Sequence, residues 1–128
     1  MKILAEISVG ELVDKLTILE IKLKHIAEPP KRDNVSAEYA SLSRTLNAEI
    51  ELDEEARRLR DELKAVNESL WRVEDDLRAC EREARFDDLF VQFARSVYRL
   101  NDRRAELKRR LNLLTRSAIV EEKSYAAY

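Results

Sequence analysis

Residues 52–85 read LDEEARRLRDELKAVNESLWRVEDDLRACEREAR. Small or apolar residues fall at Leu52, Ala56, Leu59, Leu63, Val66, Leu70, Val73, Leu77, Cys80 and Ala84, with spacings that alternate four and three. That is the heptad seam of a long helix paired with another helix, and neither Gly nor Pro interrupts it. Such a helix is roughly 50 Å long at 1.5 Å per residue. One residue clockwise runs a second stripe at the same spacing: Arg60, Lys64, Asn67, Trp71, Glu74, Arg78, Glu81 and Arg85. It is polar except for the chain's only Trp. One reading is a solvated face with i,i+3 and i,i+4 ion pairs, on which Trp71 simply lies under a neighbouring helix. The other is a site built from Asn67, Trp71, Glu74 and Arg78.

Working outward from this stretch, the composition agrees with long helices. Of the 128 residues 39% are charged and 6% aromatic, with one Gly and two Pro. A sheet protein needs more turn residues and more β-branched residues. The length suits a single domain, residues 1–128. The formal net charge of −2 provides no overall basic field to draw in nucleic acid. A local basic run at Arg103 to Arg110 is the weakest of the functional signals. The single Cys80 sits on the seam as a small core residue, and one Cys excludes an internal disulfide. No segment approaches transmembrane length, and Met1 to Ala5 is too short for a signal peptide. The expectation is a soluble cytoplasmic protein without membrane insertion.

In chain order, residues 2–7 (KILAEI) read as a short extended arm packed along the bundle. Ser8 and Glu11 form a capping box that opens the first helix, with Ile7 as the staple residue. Val9, Leu12, Leu16, Leu19, Leu23 and Ile26 share one stripe of that helix, which ends before Pro29-Pro30. Residues 28–35 read as a loop, with Asn34 or Ser36 capping the next helix. That helix carries Tyr39, Leu42, Leu46 and Ile50 inward. The phase slips at Glu49 to Glu54, which implies a kink, a turn or a stutter. A turn gives four helices; otherwise there are three. The seam helix ends near Arg85, and an Asp of Phe86-Asp87-Asp88 caps the last helix. Phe90, Phe93, Val97, Leu100, Arg104, Leu107, Leu111 and Leu114 line its stripe. The tail from Ser117 either lies back on the bundle or is mobile; the segment with no helical pattern is 116–128. The fold class is therefore all-α, an elongated antiparallel helical bundle with a long heptad-patterned, coiled-coil-like hairpin. A thin bundle leaves apolar stripe over, and a symmetric homodimer would bury it.

Arg104 breaks the pattern most clearly, because it occupies an apolar stripe position. A buried guanidinium needs a carboxylate or a wet cleft. Glu20, Glu74 and Asp75 are the candidate partners. The structural reading is an ion-pair network that fixes helix register. The functional reading is an anion-binding pocket in which Arg104, Lys15 and Lys108 supply charge and Trp71 or Tyr98 a flat wall. Other chemistries lack parts. His25 and Cys80 each stand alone, so neither a zinc site nor a Cys/His nucleophile is expected. His25 reads as a solvent-side helix residue. Glu51 and Glu54 make one Glu-x-x-Glu step without the second acidic pair that a helical Mg²⁺ pyrophosphohydrolase needs. Gly10 stands alone, so there is no phosphate loop. Arg95, Arg104, Lys15 and Lys108 are the residue types of a chorismate-mutase-like pocket, but no motif sets their geometry. No metal or cofactor is expected.

The motif string is specific enough to carry a resemblance. It runs Ser8 to Lys22 (SVGELVDKLTILEIK), then Asn67, Leu70-Trp71, Glu74-Asp75, Arg78 and Glu81. It resumes with Phe86, Ala94 to Tyr98 (ARSVY), Asn101 to Arg104 (NDRR) and Lys108, and closes with Val120 to Tyr125 (VEEKSY). The chain resembles a family of small bacterial helical proteins, a domain of unknown function. The resemblance covers nearly the whole chain, least of all residues 36–60. It implies an association with glycosyltransferase-like or tetratricopeptide proteins, and hence with surface-polysaccharide assembly. Its marker residues include Lys15, Glu20, Asn67, Trp71, Glu74, Arg95, Tyr98, Asn101 and Arg104, a set that a plain spacer does not need.

Two functional readings follow. The first is a non-catalytic helical accessory or interaction module of the bacterial cytoplasm, which presents the Trp71 face or the tail to a protein partner. The second is a small enzyme or anionic-ligand-binding protein with a polar interhelical pocket around Arg104.

Overall fold

The computed structural model describes all 128 residues as four helices and no strands: α1 (Val9–His25), α2 (Pro29–Glu49), α3 (Glu54–Arg82) and α4 (Asp88–Leu114). The chain turns at Ile50–Asp53, which settles the phase slip. Ile50 is extended, and the Asp53 side chain caps α3 by accepting from the Ala56 N–H. The loop expected over 28–35 is much shorter. Helix α2 begins at Pro29, because Pro at the first helical positions has no N–H to leave unpaired and a φ already suited to the helix. Neither Asn34 nor Ser36 is a cap. The seam helix ends at Arg82, three residues earlier than the pattern implies.

The α3–α4 hairpin is antiparallel, as the Arg103–Glu62 pair across it requires. Helix α1 packs against α2, α3 and α4 alike, whereas α2 approaches only α1 closely. The centre of the molecule is therefore α1, not the seam helix. Nine residues form the core: Leu12, Val13, Leu16, Leu46, Ala56, Leu59, Leu63, Leu107 and Leu111. The chain exposes 9151 Å², against roughly 7000 Å² for a compact protein of this mass. That excess is the signature of an elongated shape with chain ends left uncovered.

Residues 1–7 do not pack along the bundle. Ile3 and Leu4 are 82% and 95% exposed. Ser8 begins α1 as expected, its hydroxyl accepting from the Glu11 N–H. The reciprocal half of the capping box is absent, because the Glu11 carboxylate turns to Lys108 instead. The next N–H groups of α1 are satisfied from the far end of the chain. Gly10 N–H donates to Asn112 Oδ1 at 2.6 Å, and Val9 N–H to Ser117 Oγ at 3.0 Å. At this crossing a Cβ on Gly10 would collide with the Lys108 carbonyl oxygen and stand 2.8 Å from Asn112 Oδ1.

The chain's only glycine is thus spent on close approach, and two helix ends that favour glycine do without it. Ala84 (φ 51°) and Arg116 (φ 55°) are left-handed. Each follows a helix whose last carbonyls are closed by the paired backbone bonds of a Schellman motif: Arg85 N–H to Cys80 O and Ala84 N–H to Glu81 O, then Ser117 N–H to Asn112 O and Arg116 N–H to Leu113 O.

Opposite outcomes follow for opposite exchanges. Gly10→Ala, which in an open helix adds up to about 1 kcal/mol, is expected to lower stability here by about 1–3 kcal/mol through overpacking. Ala84→Gly is expected to raise it by about 1 kcal/mol by relieving the left-handed residue. Urea midpoints at unchanged m-value check both.

Candidate functional site

Helix α1 is apolar around most of its circumference, so its polar residues are carried inward with the rest. Asp14 is 1% exposed and Thr17 is buried. A carboxylate there needs several donors, and α3 and α4 provide them. Arg104 Nε donates to Asp14 Oδ1 at 2.9 Å and its Nη2 to Oδ2 at 2.5 Å. Asn67 Nδ2 donates to Asp14 Oδ1 and to Thr17 Oγ1, both at 2.9 Å. The Thr17 hydroxyl donates in turn to the Asp14 carbonyl at 2.8 Å. The hydrogen bond to Asp14 outweighs desolvation and holds the Arg104 guanidinium above its ordinary pKa range. The partner of Arg104 is therefore Asp14, not Glu20, Glu74 or Asp75. Glu20 is taken by Lys64 and Tyr39, Glu74 by Arg78, and Asp75 is exposed, whereas Asp14 shares the buried side of α1 that faces α4. Asn67, assigned to a polar outer stripe, is buried at the crossing of the three helices.

Around this hub lie two open spaces. The first is a cleft of ≈ 530 Å³ between α1, α3 and α4. Ile18, Ile21, Leu70 and Trp71 give it apolar lining, and Asn67, Glu74, Asp75, Arg78, Asn101 and Arg104 its polar lining. All four residues of the proposed Trp71 face are there, together with Asn101 and Arg104. Trp71 is half-buried and stacks on His25, with ring centroids 5.0 Å apart and planes 16° apart. His25 thus has a partner rather than solvent alone. Arg78 pairs with Glu74 at 3.1 Å on the exposed rim.

The second is a groove of ≈ 1220 Å³ between α4 and the tail, which lies back along α4. Tyr98, Asn101, Arg104 and Lys108 line it from the helix, and Lys123, Tyr125 and Tyr128 from the tail. Lys123 Nζ reaches Asp102 at 2.6 Å, Arg109 reaches Glu122 at 2.7 Å, and the Tyr98 and Tyr128 rings meet edge-on at 5.0 Å. Hydrogen bonds from Lys123 and then Tyr128 hold the Asp102 carboxyl below its usual pKa. The bond to Asp102 pushes the Tyr128 phenol up. Lys108 Nζ lies 2.5 Å from Glu11 and 3.9 Å from Asp14.

Three candidates fall outside both spaces. Lys15 is exposed, 3.7 Å from Glu11. Glu20 accepts from the Tyr39 hydroxyl at 3.2 Å and pairs with Lys64 at 2.9 Å, which raises the Lys64 pKa. Arg95 is exposed on α4 and joins no ion pair. No group of His, Cys, Asp or Glu side chains converges in a way that could hold a metal ion. No helix is long and apolar enough to cross a membrane. Sequence reasoning missed Asp14, Thr17, Asn112 and Ser117. The signal for the first two was present: apolar residues at Val9, Leu12, Val13, Leu16, Ile18, Leu19 and Ile21 wrap α1 so fully that polar residues between them are carried inside.

The chain belongs to a family of unknown function, DUF6165, whose profile matches residues 1–128. No curated protein and no solved structure matches the chain.

Arg104→Leu leaves the Asp14 carboxylate buried without its main partner. The expected loss is about 3 kcal/mol, the low end for breaking a buried pair because the Arg104 side chain is 30% exposed. Chemical denaturation measures it, and a gain in stability would remove Arg104 from the hub. For the tail, the sign follows from both partners. The depressed Asp102 pKa makes its contribution full above 3.8 and lost as acid titrates it. The raised Tyr128 pKa makes its contribution full below 10.0 and lost on further alkalinisation. Tyr128 ring resonances should therefore keep their docked shifts between those values and move toward free-tyrosine values outside them.

Proposed function

We propose that the chain is a non-catalytic helical interaction module that seats a segment of a protein partner in the Trp71 cleft. The observation that supports this most is the state of the cations. Arg104 is taken by Asp14, Lys108 by Glu11 and Arg78 by Glu74. An anionic ligand would have to displace a carboxylate from each, two of them partly buried. What the cleft offers uncommitted is apolar and aromatic surface beside the amide of Asn101 and the carboxylate of Asp75. A half-buried Trp with apolar neighbours and a polar rim suits an aromatic or aliphatic anchor from another protein. The reading extends to a bacterial setting linked to surface-polysaccharide assembly, which rests on the resemblance alone, and to a cytoplasmic location, which rests on the sequence having no segment of transmembrane length. It extends also to self-association as a homodimer, which the surplus exposed surface favours.

Trp71 is the chain's only tryptophan, so its emission reports on the cleft alone. Peptides with an aromatic anchor are expected to shift that emission saturably. A thermal-shift panel of nucleotides, nucleotide sugars and small carboxylates is expected to leave the melting temperature unchanged. A ligand at a hundred times its dissociation constant adds about 2.7 kcal/mol. Such a shift from an anion, present in the wild type and absent in Arg104→Leu, would overturn the proposal in favour of an anionic-ligand pocket.

A further inference from the structure

The two open spaces beside the Asp14 hub share a wall: Asn101 and Arg104 line both the Trp71 cleft and the α4–tail groove. Along α4, the side chains that line them leave hydrogen-bonding groups over. Asn101 is partly buried, and its amide bonds to nothing in the chain. Arg104 spends Nε and Nη2 on Asp14 and keeps Nη1 over. Asn112, which lines the groove, is 1% exposed. Its Oδ1 accepts from the Gly10 N–H, but its Nδ2 is buried with no partner. It is the one buried side-chain polar atom of this chain left so. Such donors are rare in folded proteins, because burial removes water and nothing replaces it.

We infer that one extended segment of a partner protein occupies both spaces. Its aromatic or aliphatic anchor enters the Trp71 cleft, and its main chain crosses Asn101 and Arg104 into the α4–tail groove, where a peptide carbonyl accepts from Asn112 Nδ2. This occupant rests on the reading of the Trp71 cleft above and extends it from an anchor to a backbone path. The groups left over are those that a neutral backbone satisfies. A side-chain amide carries a donor and an acceptor side by side, as a peptide unit does, so Asn101 can pair with one such unit in both senses. The charge of Arg104 is already met by Asp14, so its spare N–H groups suit a neutral carbonyl rather than a second carboxylate. Lys108, Arg109 and Lys123, the other cations of the groove, are held by Glu11, Glu122 and Asp102. The reach is short. From Asn101 to Asn112, α4 rises about 16 Å, which about five extended residues span.

Titration of the Trp71 emission separates the anchor from the path. One probe is a doubly blocked phenylalanine amide, too short to leave the cleft. The others are two blocked octapeptides of neutral alanines and serines, with a phenylalanine at the first position of one and the last position of the other, so that both chain directions are covered. One octapeptide is expected to bind at least about tenfold tighter than the amide, since it adds hydrogen bonds to groups that otherwise have none. Asn112→Asp keeps an oxygen for the Gly10 N–H, and with it the start of α1, but loses the donor. It is expected to hold the urea midpoint, to weaken that octapeptide about five- to tenfold and to leave the affinity of the amide unchanged. Asn101→Ala removes no bond within the chain and is expected to weaken the octapeptide likewise. Should Asn112→Asp fail to fold, Asn101→Ala decides alone. Octapeptides that bind no tighter than the amide, or that bind either folded variant as well as the wild type, would overturn the backbone path and leave the cleft as an anchor site. No shift with any probe would overturn both.

Discussion

The first turn of α1 is buried against the backbone of α4, and the rest of the structure depends on that crossing. A helix start has N–H groups without intrahelical partners, and burial removes water as the alternative. Here Ser8, Asn112 and Ser117 each supply one acceptor oxygen. Only glycine permits the approach. The Asn112 carbonyl also closes the C-terminal motif of α4, which orients Ser117 toward Val9. One asparagine therefore joins the beginning of the first helix to the end of the last. With the start of α1 fixed, its register is fixed, and Asp14 arrives one turn later opposite Arg104 and Asn67. A shift of a single residue would rotate Asp14 by about 100° and leave a carboxylate facing the leucines.

That dependence explains which parts of the fold were legible from sequence. The long helices were, because heptad spacing and the absence of Gly and Pro act locally. The capping oxygen of Ser8 and the stop before Pro29 were legible for the same reason. The turn at Ile50–Asp53 showed only as a phase slip, since its sole chemical marker, Asp53, sits among other acids. The helix ends at Ala84 and Arg116 lacked the glycine that would have announced them. The arm was misread because its apolar residues imply burial, while nothing in a sequence says against what.

The candidate site divides along the same line. Asn67, Trp71, Glu74, Arg78, Asn101 and Arg104 stood out as polar or aromatic residues at odd positions on two helices, and the fold brings them to one cleft. Their pairing was not legible. A helix reading confined to one apolar stripe places Asp14 outside, whereas packing on three sides places it at the centre. Once Asp14 is central, the cations of the cleft are balanced internally, and Arg104 changes from a ligand-seeking cation into a fixed strut. Replacing such a pair by apolar residues is often neutral for stability, so its retention favours a role in setting register and in shaping the cleft wall.

The two chain ends follow a different logic from the interior. The buried Asp14, Thr17 and Asn67 are held by at least two hydrogen bonds each, whereas the tail is held on α4 by exposed ion pairs and one edge-on aromatic contact. Solvent-exposed pairs are screened and contribute little each, so the tail is fastened loosely over a well-ordered helix. The asymmetry is physical. The interior spends its polar groups on a unique register, and the ends keep their backbone groups and apolar side chains unspent, which is the condition under which association can add stability without competing with folding.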